Sequence, residues 1–153
     1  MMRVIAVGRS RGGPETELFD RYCTRIRPAL TLTEIADGKG APAEIKRREG
    51  EALLAALPAQ TFTVALDLEG EMLDSAMFAA RLEGWLSLSR PIRFLIGGAE
   101  GLDRPVLARA DFTLSLGRMT WPHLLVRGML AEQIYRARSI VAGHPYHRAG
   151  RPA

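Results

Sequence analysis

The chain has 153 residues, 47% of them hydrophobic and 25% charged, with a single cysteine and a formal net charge of +4. This composition matches folded globular domains and excludes disordered, collagenous and disulfide-scaffold classes, and the length predicts one domain over residues 1–153 with one substantial core. No apolar run approaches the ~20 residues of a membrane span, and segment 1–8 is too short and wrongly flanked for a secretory signal, so a cytoplasmic location is expected.

Residues 2–7, closed by Gly8, predict a first strand. The turn Arg9-Ser10-Arg11-Gly12-Gly13-Pro14 feeds a helix over 15–27, whose apolar spacing is Leu18, Tyr22 and Ile26. Gly8, Gly12 and Gly13 do not make a phosphate loop. The Lys and Ser or Thr of a P-loop are missing, and Ser10 stands where a dinucleotide fingerprint needs glycine. Arg9 and Arg11 are placed to touch a phosphate from this turn. Cys23 lies within the first helix and reads as a packing or partly exposed thiol.

Residues 30–35 alternate as a half-buried strand and end in the loop Asp37-Gly38-Lys39-Gly40. A second helix runs through Ile45, Leu53, Leu54 and Leu57. A third strand over 62–66 is followed by the turn Asp67-Leu68-Glu69-Gly70, and a third helix over 75–88 turns Phe78, Leu82, Trp85 and Leu86 inward.

The clearest site signal is Phe94-Leu95-Ile96-Gly97-Gly98-Ala99-Glu100-Gly101-Leu102, a fourth strand running directly into closely spaced glycines. Glycines at such an exit let bare backbone approach a ligand. A dinucleotide fold puts its glycine loop after the first strand; here it comes two-thirds of the way along. A short helix over 104–109, a fifth strand over 112–116 and an irregular loop over 117–121 follow. The last helix has Pro122 in its first turn and Gly143 just past its end, and the tail 143–153 reads as extended. The alternation predicts an α/β fold with a mostly parallel sheet of five to six strands and helices on both faces.

Charge is unevenly spread. Residues 1–111 hold 15 Lys and Arg against 16 Asp and Glu, whereas residues 112–153 hold six Arg against only Glu132. A basic C-terminal segment of this kind suits a polyanion, with nucleic acid the leading class. The three histidines lack the acidic or cysteine company of a metal site, so no metal is expected. No elbow marks a nucleophilic serine. His123 and Arg127 lie one turn apart and can face a common site, and Glu132 and Arg136 have the spacing of a surface ion pair. In the tail, Tyr146, His147 and Arg148 join an aromatic, an imidazole and a guanidinium, which together can stack a base and hold its backbone; a frayed basic terminus has the same composition.

Four ordered motifs, F-L-I-G-G-A-E-G-L, S-L-G-R-M-T-W-P-H-L-L-V-R, E-Q-I-Y-R-A and H-P-Y-H-R, resemble the RlmH (YbeA) family of SPOUT methyltransferases. The likeness extends over essentially the whole chain and includes Ile45-Lys46-Arg47 and Ala65-Leu66-Asp67. It implies an α/β knot over about residues 92–143, with a substrate-binding tail over 144–153. It implies methyl transfer from S-adenosyl-L-methionine to N3 of a pseudouridine in 23S ribosomal RNA on the assembled ribosome, by a homodimer. The cofactor would lie against Leu66, Gly97, Gly98, Leu116, Gly117, Arg118, Met119, Thr120, Trp121 and Pro122. Arg9, Arg127, Tyr146, His147 and Arg148 would contact RNA, the tail reaching the other subunit's cofactor. Glu132, His123, Tyr146 and His147 are the catalytic candidates, Glu132 or His123 as the group that assists loss of the N3 proton. A SPOUT enzyme acting on another ribosomal or transfer RNA site, or a non-catalytic RNA-binding factor, would share many of these features.

Overall fold

A computed structural model describes residues 1–148; residues 149–153 of the expected basic tail lie outside the described residues. The elements follow in the order β1 (Met2–Val7), α1 (Pro14–Cys23), β2 (Leu30–Ile35), α2 (Pro42–Ala55), β3 (Phe62–Met72), α3 (Ser75–Leu86), β4 (Ile92–Ile96), α4 (Arg104–Arg109), β5 (Phe112–Ser115) and α5 (His123–Ala142). The five strands form one sheet in the order β2-β1-β4-β3-β5, and every neighbouring pair is parallel.

A parallel sheet needs both faces covered. Val4, Phe94, Val64 and Leu114 pack on one face against Phe19, Phe78, Leu130 and Ile134, from α1, α3 and α5. On the other face, Ile5, Leu95 and Ala65 meet Leu53 of α2 and Val106 of α4. Phe94, on the middle strand, is completely buried; truncating a phenylalanine in such a place costs about 3 to 5 kcal/mol.

Local chemistry sets most boundaries. The Asp74 carboxylate accepts from the Met77 amide at 2.7 Å and starts α3, as an N-cap aspartate does. Gly143 closes α5 in the left-handed conformation at φ 70, the usual glycine stop. Two boundaries differ from the sequence expectation by more than two residues. Helix α1 ends at Cys23, and Ile26, assigned to its apolar face, is buried beyond the helix end. Strand β3 does not stop at residue 66. It continues to Met72 and pairs with β5 on both sides of a register shift between Leu66 and Glu71.

The reason for that extension is at Gly70. A Cβ there would lie 2.7 to 2.8 Å from the backbone of Thr113 and Leu114, so the second half of β3 lies on β5 more closely than any side chain permits. The segment 67–70 contains turn-forming residue types, and tertiary pairing overrides them.

Candidate active site

The C-terminal ends of β3, β4 and β5 open into a cavity of about 560 Å³, within the usual range for a small-molecule site. Its walls are the chain after Leu66, the glycine turn 97–101, and the segment from Leu114 into the start of α5. The Gly101 amide donates to the Gly98 carbonyl at 3.0 Å and closes that turn. A Cβ on Gly97 would sit 2.8 Å from the Gly101 backbone, and one on Gly98 would press on Val7 Cγ1 at 3.0 Å and Glu49 Oε1 at 3.1 Å. These two glycines are therefore required by the packing behind the cavity, and their backbone forms its wall. Glu49 is buried. Its Oε2 accepts from the Gly38 amide at 2.9 Å, while Oε1 has no hydrogen-bond partner among the described residues.

Gly117 turns the third wall at φ 111, a conformation that favours glycine. Leu66, Leu116 and Val126 give the interior an apolar surface, and Met119 and Trp121 stand exposed beside its mouth. Of the ten residues expected at the cofactor, Arg118 is the one that does not line this cavity; it follows the Gly117 turn and is exposed. Asp67 and Ile96 line it as well, each beside a residue expected at the cofactor, and so does Gly101, the last glycine of the strand-exit motif.

His123, half-buried at the start of α5, lines the same cavity, with Nε2 3.2 Å from the position of a Cβ on Gly8. Arg127, one turn further, does not join it. It is 3% exposed, its guanidinium meets Glu34 at 2.5 Å, and it donates to the carbonyls of Gly8 at 2.7 Å and Val7 at 3.3 Å. The expected RNA contact is thus a clamp on the ends of β1 and β2, with no surface left for a polyanion. Burial would push the Glu34 carboxyl up, but the Ser10 amide and the Arg127 guanidinium outweigh it and hold it below the ordinary carboxylate value. Arg9 is exposed beside this clamp.

Glu132 lies elsewhere. It lines a second cavity, of about 620 Å³, between α1, the start of α3 and α5, separated from the first by the shared segment Leu114, Leu116 and Gly117. Its carboxylate accepts from Arg136 Nη2 at 2.6 Å and from the Tyr146 hydroxyl at 2.7 Å. Tyr146 packs edge-on against Tyr135 at 4.7 Å, and the Arg136 guanidinium covers its ring at 4.8 Å. Burial, then the hydroxyl of Tyr22 and the carboxylate of Glu132, raise the Tyr146 phenol above its ordinary value and keep it neutral. Arg136 Nη1 is 3.1 Å from His147 Nδ1. The expected surface ion pair is therefore the centre of a half-buried network that folds the tail back onto α5. Glu132, Tyr146 and His147 come together here, away from the cavity that His123 lines, and Arg148 beyond them is exposed. Burial and the nearby Asp20 charge push the Cys23 thiol up to about 12, which leaves it inert as a nucleophile.

Residues 1–147 match the family described as "Predicted SPOUT methyltransferase". The chain belongs to that family. Two similar SPOUT methyltransferases carry the name ribosomal RNA large subunit methyltransferase H. That of Gluconacetobacter diazotrophicus is 68% identical over 99% of this chain and all of its own, and that of Acidiphilium cryptum is 56% identical over 99% of this chain and 96% of its own. In this SPOUT methyltransferase no three His, Cys, Asp or Glu side chains gather as a metal site among the described residues, and no described helix is long and apolar enough to cross a membrane.

Proposed function

We propose that this SPOUT methyltransferase binds S-adenosyl-L-methionine in the 560 Å³ cavity and methylates N3 of a pseudouridine in large-subunit ribosomal RNA on the assembled ribosome. The observation that carries the reading is the cavity itself: bare glycine backbone at the end of the middle strand, faced by an apolar loop at the end of β5. The residues fit the cofactor. The backbone of Gly97, Gly98 and segment 116–122 offers amides and carbonyls to its polar groups, and Leu66, Leu116 and Met119 offer apolar surface to an adenine. Bound there, it supplies an electrophilic methyl group to an aligned nucleophile.

The chain's own part is to position the base and to take its proton. N3 must lose a proton before it attacks, and His123 Nε2 is the acceptor we assign, because His123 is the titratable candidate that lines this cavity. Glu132 is occupied by Arg136 and Tyr146, so its role is to hold Tyr146. The cluster of Tyr146, His147 and Arg136 does not line its own chain's cavity. In a homodimer closed over the α1 and α5 face, where Tyr22, Met72 and Gln133 line the second cavity, the tail of each copy would reach the other's cofactor. The close contact of Gly70 with β5 supports a knotted crossing of β5 behind the extended β3. One domain over residues 1–153 and a cytoplasmic ribosomal substrate complete the reading.

Calorimetry with S-adenosyl-L-methionine tests it. One molecule bound per chain is expected, with Gly98→Val weakening affinity at least tenfold because its branched side chain collides with Val7 and Glu49 and moves the wall. Equal affinity for the variant would remove the glycine assignment; no binding by the parent protein would favour a non-catalytic RNA-binding factor. Ribosomes lacking the pseudouridine should not be methylated, and if they are, another site is the target.

A further inference from the structure

At the edge of the sheet opposite the cavity, the register places four residues in one row across adjacent strands: Thr31 of β2, Arg3 of β1, Arg93 of β4 and Thr63 of β3. Two arginines thus stand directly opposite each other on neighbouring central strands. Like charges in that relation are unfavourable, and burial together with the Arg3 charge lowers the affinity of Arg93 for its proton. Among the described residues no carboxylate pairs with either. There Arg3 donates to hydroxyls, Nε to Thr31 at 2.9 Å and Nη1 to Thr33 at 3.2 Å. Arg93 donates through Nη1 to the carbonyls of Met1 and Ile92. The Thr63 hydroxyl, next in the row, is buried and bonded to nothing among the described residues.

The same edge carries more positive charge. Arg90 donates to the carbonyls of Gln60 and Thr61, and Arg109, at the end of α4, also reaches the Thr61 carbonyl. Among the described residues, one ion pair involves any of these four arginines, Arg109 with Asp111 at 3.6 Å. Arg90, Arg93 and Arg109 are held by backbone carbonyls at this end, those of Met1, Gln60, Thr61 and Ile92. Arg3 is not; it is exposed and held by threonines on the edge strand β2.

We infer that this N-terminal edge of the sheet is a second contact surface for the phosphate backbone of ribosomal RNA, with Arg3 and Arg93 as its phosphate-binding residues. The inference rests on the proposed ribosomal substrate. Arg3 lies five residues from Gly8 at the cavity end of β1, about 17 Å in an extended strand, so the two surfaces face separate segments of RNA. A ribosome presents RNA on several sides of a bound protein, and a planar guanidinium with unused donors matches a phosphate bidentately.

The test compares the parent protein with Arg3→Gln/Arg93→Gln, with Arg3→Lys/Arg93→Lys, and with Arg47→Gln/Arg48→Gln. The last removes the same charge from α2, where both arginines are already paired with Glu44. Binding to protein-free large-subunit RNA is measured against salt, and methyl transfer to ribosomes is measured alongside it. Each phosphate contact contributes roughly 0.7 to 0.9 to the slope of log affinity against log salt. Between 50 and 200 mM salt the parent protein should therefore lose about tenfold more affinity than the glutamine pair. The lysine pair should keep the parent slope, and the Arg47/Arg48 variant should change it little. The glutamine pair should keep its melting temperature, its cofactor affinity and its kcat at saturating ribosomes, while KM for ribosomes rises. An unchanged slope for the glutamine pair, or an equal change in the Arg47/Arg48 control, would overturn the inference. Absence of methyl transfer by the parent protein would instead count against the ribosomal substrate itself.

Discussion

Arg127 shows how one residue's surroundings decide its role. Spacing set it beside His123 and the family resemblance made it an RNA contact, yet its side chain turns inward to Glu34 and the carbonyls of Val7 and Gly8. Removing one member of a buried pair leaves the other uncompensated, so Arg127→Met should cost about 3 kcal/mol, lowering the melting temperature by roughly 6 to 12 °C for a chain of this size. Cofactor affinity per folded molecule should persist. The pH dependence follows from Glu34. Its carboxyl is held low in the folded protein, so its contribution is present above the unfolded carboxylate value and is lost as pH falls through the folded one. Melting curves of the parent protein and Glu34→Gln should therefore differ most above about pH 5 and converge in acid; a constant difference would contradict the pairing. With no room for a methyl group against Thr113 and Leu114, Gly70→Ala should destabilise by about 3 kcal/mol as an overpacked contact, and an unaffected melting temperature would mean that β3 and β5 yield there.

Among the elements, the strands and helices with strong periodicity were legible in order and type, because each has one apolar face or a continuous apolar run. The exceptions share a cause. Residues 67–70 contain Asp and Gly and read as a turn, and only pairing with β5, which is distant in sequence, carries the strand through them to Met72. The tail 144–148 was read as extended, whereas Tyr146 closes onto Tyr135, Arg136 and Glu132; spacing along α5 showed Glu132 and Arg136 as a pair and could not show what would land on them. That landing gives a prediction for the element. Tyr146→Phe removes the hydroxyl shared by Tyr22 and Glu132 and should loosen the tail, leaving cofactor affinity within twofold while methyl transfer to ribosomes falls at least tenfold. A parallel fall in cofactor affinity would show that the tail supports its own chain's cavity instead.

For the whole molecule, the parallel strands put the cavity at their C-terminal ends and an arginine row at their N-terminal ends. The glycine turn after β4 was readable because glycines at a strand exit have few other uses. The depth of the cavity was not, since its third wall comes from residues 114–123 and depends on how β5 is inserted beside β3. If two copies close over the α1 and α5 face, sedimentation should give a dimer, and Tyr22→Glu, which puts charge into the second cavity, should yield monomers that bind cofactor and do not methylate RNA. Monomeric behaviour of the parent protein with full activity would exclude the shared site. Ribosomes from a strain lacking this enzyme, incubated with the protein and S-adenosyl-L-methionine carrying a labelled methyl group, should incorporate one methyl per large subunit, mapped to N3 of a single pseudouridine; label at another base, or none from a protein that binds the cofactor, would contradict it.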